Sequence, residues 1–123
     1  MRMLIVAGVA IFFAGAAQAD EVTATGSFEG ASNHVTTGSV QIVRTDSGYQ
    51  AILSADFSLD GAPDPKVAFG KDGSVEGAIF AKLESLTGEQ VYAVPAALDP
   101  ADYNEFYIWC ERFAVPLGVA SLN

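Results

Sequence analysis

Cys110, His34 and Trp109 each occur once in this chain, and its two methionines, Met1 and Met3, lie at the start. These counts restrict the chemistry sharply. A structural zinc site takes four Cys or His ligands, a blue-copper site two His and a Cys, and an iron–sulfur cluster about four thiolates. One histidine and one cysteine build none of these, and only a single proximal His34 is left as a formal haem ligand. A Cys-x-x-Cys redox pair and an intramolecular disulfide both need a second cysteine. No metal site and no cofactor are expected, and any redox chemistry of the chain's own falls to one thiol.

Around that thiol, Glu105 to Val115 reads as a strand, in which successive side chains alternate between faces. Phe106, Ile108 and Cys110 share one face, and Tyr107, Trp109 and Glu111 share the other. Two large apolar companions predict an inward Cys110, and an inward cysteine by itself is a small hydrophobe with an inert thiol. A reactive thiol needs partial exposure and a cationic neighbour, for which Arg112, Lys82 and His34 are the candidates. Glu111 beside it opposes activation. His34 is the candidate acid–base partner on condition that folding brings it within hydrogen-bond reach; otherwise it is a loop or strand-edge residue after Asn33. Trp109 and Tyr107, on the opposite face, would stack on a sugar or anchor a protein contact if exposed, and would complete a core if covered.

The carboxylates offer less. Asp56, Asp60 and Asp64 recur every four residues, but this spacing is not that of an EF-hand loop, and solvated acidic loops are the simpler reading than calcium. Ser-His-Asp hydrolysis has no Gly-x-Ser-x-Gly signature to support it, and carboxylates set for glycoside cleavage are unmarked.

A length of 123 residues fits one domain. The net charge of −9 removes the basic surface that a phosphate backbone or an anionic membrane needs, so neither nucleic acid nor lipid is an expected partner. Arg2, the apolar run from Met3 to about Gly15, and Ala17-Gln18-Ala19 before Asp20 have the form of a signal peptide cleaved after Ala19. The apolar run is shorter than the ~20 residues a spanning helix needs. The expectation is an exported chain, periodic in strand pattern, periplasmic or secreted, free of the membrane after cleavage, monomeric, and formed by residues 20–123.

These residues must be held by strands. Ser39 to Arg44 and Tyr49 to Phe57 flank Thr45-Asp46-Ser47-Gly48, a hairpin signal, and the second run alternates apolar and polar with Ile52 as the exception. Val22 to Phe28, Lys66 to Phe69, Ala78 to Leu83, Gln90 to Val94 and Glu105 to Val115 complete the set, with Pro and Gly between them. Only Ala96 to Tyr103 could hold a helical turn. About seven or eight short strands predict an all-β fold, a single antiparallel sandwich or barrel-like domain.

The motifs carry a resemblance. Tyr103-Asn104-Glu105-Phe106-Tyr107-Ile108-Trp109-Cys110, followed by Phe113, Val115, Gly118 and Ala120, resembles the end of the DM-thirteen domain, also labelled the electron transfer DM domain. Upstream, Gly26-Ser27-Phe28, then His34 to Val40, then Phe57 with Asp60 to Asp64, and Lys82-Leu83 with Gly88 to Pro95 are similar to that family in the same order. The resemblance implies a small extracytoplasmic β domain in which Cys110 is a proposed redox group. No DOMON partner domain is expected within these residues, and Pro116 departs from the usual pattern, where it is expected to end the ladder or mark an edge.

Two functions follow as expectations. In the first, Cys110 undergoes reversible thiol chemistry, as a sulfenic acid or as a mixed disulfide with a redox partner protein, assisted by His34. In the second, a non-catalytic module offers an acidic, aromatic surface to a partner protein or a carbohydrate.

Overall fold

The computed structural model describes residues 20–123; the expected signal peptide, residues 1–19, lies outside the described residues. Ten strands follow in order: β1 (Glu21–Gly30), β2 (Thr36–Thr37), β3 (Ser39–Thr45), β4 (Gly48–Leu53), β5 (Ser58–Leu59), β6 (Pro65–Gly70), β7 (Ile79–Lys82), β8 (Gln90–Ala93), β9 (Glu105–Cys110) and β10 (Val115–Ser121). Eight of them form one sheet in the order β7-β6-β9-β10-β1-β3-β4-β8, antiparallel throughout, which curls into a nearly closed barrel. The expected all-β, barrel-like architecture is therefore what the chain adopts.

Side-chain alternation builds the interior. Val40 and Ile42 of β3, Ala51 and Leu53 of β4, Val67 and Phe69 of β6, and Phe106 and Ile108 of β9 are buried together. Phe69 stacks on Tyr103 and Phe80 with ring centroids 5.3 and 5.6 Å away, and meets Phe106 edge-on at 5.2 Å. Such pairs contribute roughly 0.5–1.5 kcal/mol beyond the area they bury.

Between the edge strands β7 and β8, side chains take the place of a ladder. The Tyr92 hydroxyl accepts the Glu84 N–H at 2.9 Å and donates to Gln90 Oε1. Gln90 in turn accepts the Ser85 N–H at 3.2 Å and donates to the Ser85 carbonyl at 2.9 Å. These bonds fasten the segment after β7 to the edge of β8 and satisfy two buried polar side chains.

Several boundaries differ from the sequence reading. The run Tyr49 to Phe57 leaves the sheet after Leu53, because Ser54 turns the chain: its N–H binds the Ser39 carbonyl, its hydroxyl accepts the Ser39 N–H, and its carbonyl takes the Phe57 N–H. Phe57 enters the core from this turn. The Ala96–Tyr103 segment contains one short 3₁₀ turn, Pro100–Asp102, whose start is capped by the Asp99 carboxylate on the Ala101 N–H at 3.0 Å. The run Glu105 to Val115 is two strands, reversed by a turn at residues 111–114 in which Ala114 has φ of +55°.

Pro116 does not end the ladder, but its stretch of β10 is paired on the β9 side alone, as an edge would be. It stands inside β10 opposite Trp109, at a register shift that carries the pairing on to Gly118 and Ile108. The ladder from β10 to β1 begins only at Gly118, opposite Gly30, so the missing proline N–H falls before the two-sided stretch.

The registers gather Gly30, Ser39, Leu53, Pro65, Cys110 and Val115 at one end of the barrel, its mouth. Here the two-stranded β2–β5 ladder, Thr36 opposite Leu59 and Thr37 opposite Ser58, crosses the opening. Thr36 is buried against β10, its hydroxyl donating to the Leu117 carbonyl at 2.8 Å. Gly118 makes room for it: a Cβ there would lie 2.6–2.9 Å from the Thr36 side chain. Phe57 and Leu59 turn downward into the core.

Candidate functional site

Cys110 is the last residue of β9, paired with Val115 on one side and Pro65 on the other. Its side chain is 1% exposed and belongs to the same buried cluster as Ile108, Leu117 and Leu59. The inward direction expected from strand parity is the one observed. One residue beyond, the Glu111 N–H donates to the Asp64 carbonyl at 3.1 Å, adding a rung above the thiol. Among the described residues no hydrogen bond involves the Cys110 sulfur, which lies in an apolar cluster.

The cations that could activate it are engaged or exposed elsewhere. Lys66 lies on the outer side of the β6–β9 ladder, where its ammonium pairs with Glu111 and, at 3.2 Å, with Asp64. These carboxylates hold the Lys66 ammonium above its usual pKa, Glu111 first and Asp64 second. Arg112 and Lys82 are exposed, and neither makes an ion pair among the described residues.

His34 does not hydrogen-bond to Cys110. It sits in a tight turn, residues 31–34, closed by its own N–H on the Ala31 carbonyl at 3.0 Å, with Ser32 and Asn33 both at positive φ, 57° and 65°. This combination defines a I′-like turn, a conformation asparagine tolerates better than most residues. The ring Nδ1 lies 2.8 Å from Asp60 Oδ1, while Asp60 Oδ2 accepts the Val35 N–H at 3.0 Å. The Val35 N–H foremost, and His34 after it, hold the Asp60 carboxyl below the usual aspartate range. His34 and Cys110 thus share the barrel mouth but not a bond. Asp60 was visible in the sequence as one carboxylate in a four-residue spacing and as the start of the family-like segment Asp60 to Asp64, but its partners lie 25 and 26 residues away, and no local pattern announces them.

That spacing does not converge. Asp56 accepts from the Ser54 hydroxyl, Asp60 from Val35 and His34, and Asp64 pairs with Lys66. Among the described residues no group of three or more His, Cys, Asp or Glu is placed to hold a metal ion.

On the outer face, Tyr107 and Trp109 meet edge-on with centroids 6.0 Å apart, in a small cluster with Ala68, Val75, Ile79 and Val119. Tyr107 is only 5% exposed and Trp109 is half-buried, so the pair is not the open stacking platform that exposed aromatics would make. Burial, reinforced by the bond from its hydroxyl to Glu105, raises the Tyr107 pKa to about 12. Beside this cluster a groove of about 530 Å³ runs along β1 and β10, lined by Thr25, Ser27, Glu29, Ser39, Ser121 and Asn123 among others.

A family model for the electron transfer DM13 domain matches residues 27–122, a span that includes the mouth, the β2–β5 ladder and Cys110. No curated protein and no solved structure matches the chain. With the family match covering most of its length and the fold all-β, the chain belongs to the electron transfer DM13 family.

Proposed function

We propose that this protein is an exported electron-transfer module whose redox group is the Cys110 thiol. The observation that carries the reading is the position of that thiol: the family match spans it, and it lies at a strand end, directly beneath the barrel mouth, rather than at the barrel's centre. A group at such a place is reached by a local opening that leaves most of the sheet intact.

The chemistry is a two-electron exchange with a hydroperoxide and a partner protein thiol. On opening, Cys110 loses its proton and its sulfur attacks the distal peroxide oxygen; an S–O bond forms, the O–O bond breaks, and the departing oxygen leaves protonated as alcohol or water. Cys110 is oxidised to sulfenic acid and the peroxide is reduced. A partner thiol then attacks the sulfenic sulfur, expelling water and forming a mixed disulfide; a second partner thiol restores Cys110 and leaves as the partner disulfide. His34, oriented through Nδ1 by Asp60, presents Nε2 as proton acceptor at the opened mouth. Alkylation with iodoacetamide at pH 8 tests accessibility: slow, complete modification of the native protein is expected, and none over hours without denaturant overturns the reading.

The hydroxyl-lined groove favours a second reading, a carbohydrate-binding module. Its neutral hydroxyl and amide lining with one carboxylate, Glu29, suits a neutral saccharide better than an anion. Amide shifts confined to residues 25–29 and 119–123 on titration with neutral oligosaccharides would support it; no shifts at millimolar ligand would remove it.

A further inference from the structure

We infer that β2, docked on β5 and β10, is a gate over Cys110 and that Asp60 is the positioning residue that keeps it shut. The inference rests on the reading of Cys110 as the redox group, but its test reads the gate alone.

The ladder has the construction of a plug. Its two strands are two residues long, too short to be stable on their own pairing; β5 is also bridged to Thr87 through Ser58, and β2 is held by a small number of identifiable contacts. Thr36 docks on β10 through Leu117 and fills the space left by Gly118, which is paired with Ile108, two residues from Cys110 on the same inner face. Leu59 and Phe57 supply the apolar underside and share the buried cluster with Cys110. On the outer edge Asp60 joins the two strands three ways: its carboxylate takes the Val35 N–H and the His34 ring, and its own N–H donates to the Val35 carbonyl at 3.1 Å. The ladder enters through the tight turn at residues 31–34 and leaves at Gly38, where φ is +98° and a Cβ would lie 2.6 Å from the Phe57 backbone. Both connections of β2 are sharp reversals, whereas β5 is fastened on its far side, its Leu59 N–H donating to the Leu86 carbonyl at 2.8 Å and the Gly88 N–H to the Phe57 carbonyl at 3.0 Å, so residues 34–37 can lift off β5 and β10 as a flap while β1, β3 and β5 stay in place.

The opposite rim is fastened differently. There Lys66, Asp64 and Glu111 tie β6 to β9 on the outer face, and the two rims offer alternative routes to the thiol.

The experiment measures the rate at which a disulfide reagent, 5,5′-dithiobis(2-nitrobenzoate), labels native Cys110 at pH 8. Asp60→Ala removes two of the three outer bonds and is expected to raise the rate about three- to tenfold, the effect of roughly one net hydrogen bond to a partly exposed charge. Gly118→Ala, which leaves Asp60 intact and pushes Thr36 outward, is expected to raise it as well, with a denaturant dependence of labelling far below that of global unfolding. Glu111→Ala is expected to leave the rate within twofold of the wild type.

Unchanged rates in both gate variants, or a larger acceleration in Glu111→Ala, would overturn the gate. A slower rate in Asp60→Ala would also overturn it, since it would make Asp60 a support for His34 chemistry and not a clamp. Trapping of sulfenic acid in the same samples reads the redox proposal separately: fast labelling without any trapped sulfenic acid keeps the gate and removes the peroxide chemistry.

Discussion

Glu111 pairs with Lys66 on the outer face of the barrel, while Cys110, the residue before it, points into the core. Among the described residues, the cation paired beside the cysteine strand, Lys66, is thus separated from the sulfur by the sheet itself. The thiol is shielded, and under the proposed function its reactivity is set by how often the mouth opens.

The character of the Cys110 pocket is testable by substitution. Cys110→Ala leaves a small void and should cost about 1 kcal/mol, whereas Cys110→Ser places an unsatisfied hydroxyl among hydrocarbon and should cost about 1–3 kcal/mol. Urea unfolding of both variants checks the order; a serine variant as stable as the alanine variant would mean the site is wetter than its burial indicates.

Parity gave the direction of Cys110 and of its neighbours Ile108 and Trp109 correctly, because alternation along a strand is a local property of the backbone. The hairpin at residues 45–48 was legible for the same reason. What failed to show was non-local or too short. β2 and β5 have no periodicity to detect at two residues each, Pro116 hid β10 because a bulge absorbs its missing donor, and Asp60 finds His34 only through the fold.

Tyr107 ties stability to alkaline pH. Its pKa is raised to about 12 in the folded protein, by burial first and the Glu105 contact second, against about 10 in an unfolded chain. Stability from this group is complete below pH 10 and is lost as pH rises from 10 towards 12. Thermal melts of wild type and Tyr107→Phe across this range should show a shallower alkaline decline in the variant.

Asp60 acts at the acid end. Its carboxyl titrates below the usual aspartate range when folded, so its contribution is present above that range and is lost as pH falls through the folded value. The stability difference between wild type and Asp60→Ala should be seen at pH 7 and should shrink as pH falls below the usual aspartate range, as read by urea midpoints.

The Tyr92 hydroxyl closes the gap between β7 and β8 and is the partner of the Glu84 N–H. Tyr92→Phe leaves that donor and Gln90 short of a partner, and should destabilise the barrel by about 1–3 kcal/mol. Hydrogen exchange should localise the loss, with Glu84 and Ser85 amides exchanging faster while those of β9 are unchanged.

The central claim is that Cys110 carries the electrons. Its most direct test exposes the folded protein to equimolar hydrogen peroxide with dimedone present and weighs the intact chain. The account predicts one dimedone adduct, located at Cys110 and missing in Cys110→Ala, formed more quickly in Gly118→Ala, which leaves the His34–Asp60 pair intact. An unmodified mass in every folded sample, with the adduct formed only after denaturation, would contradict it.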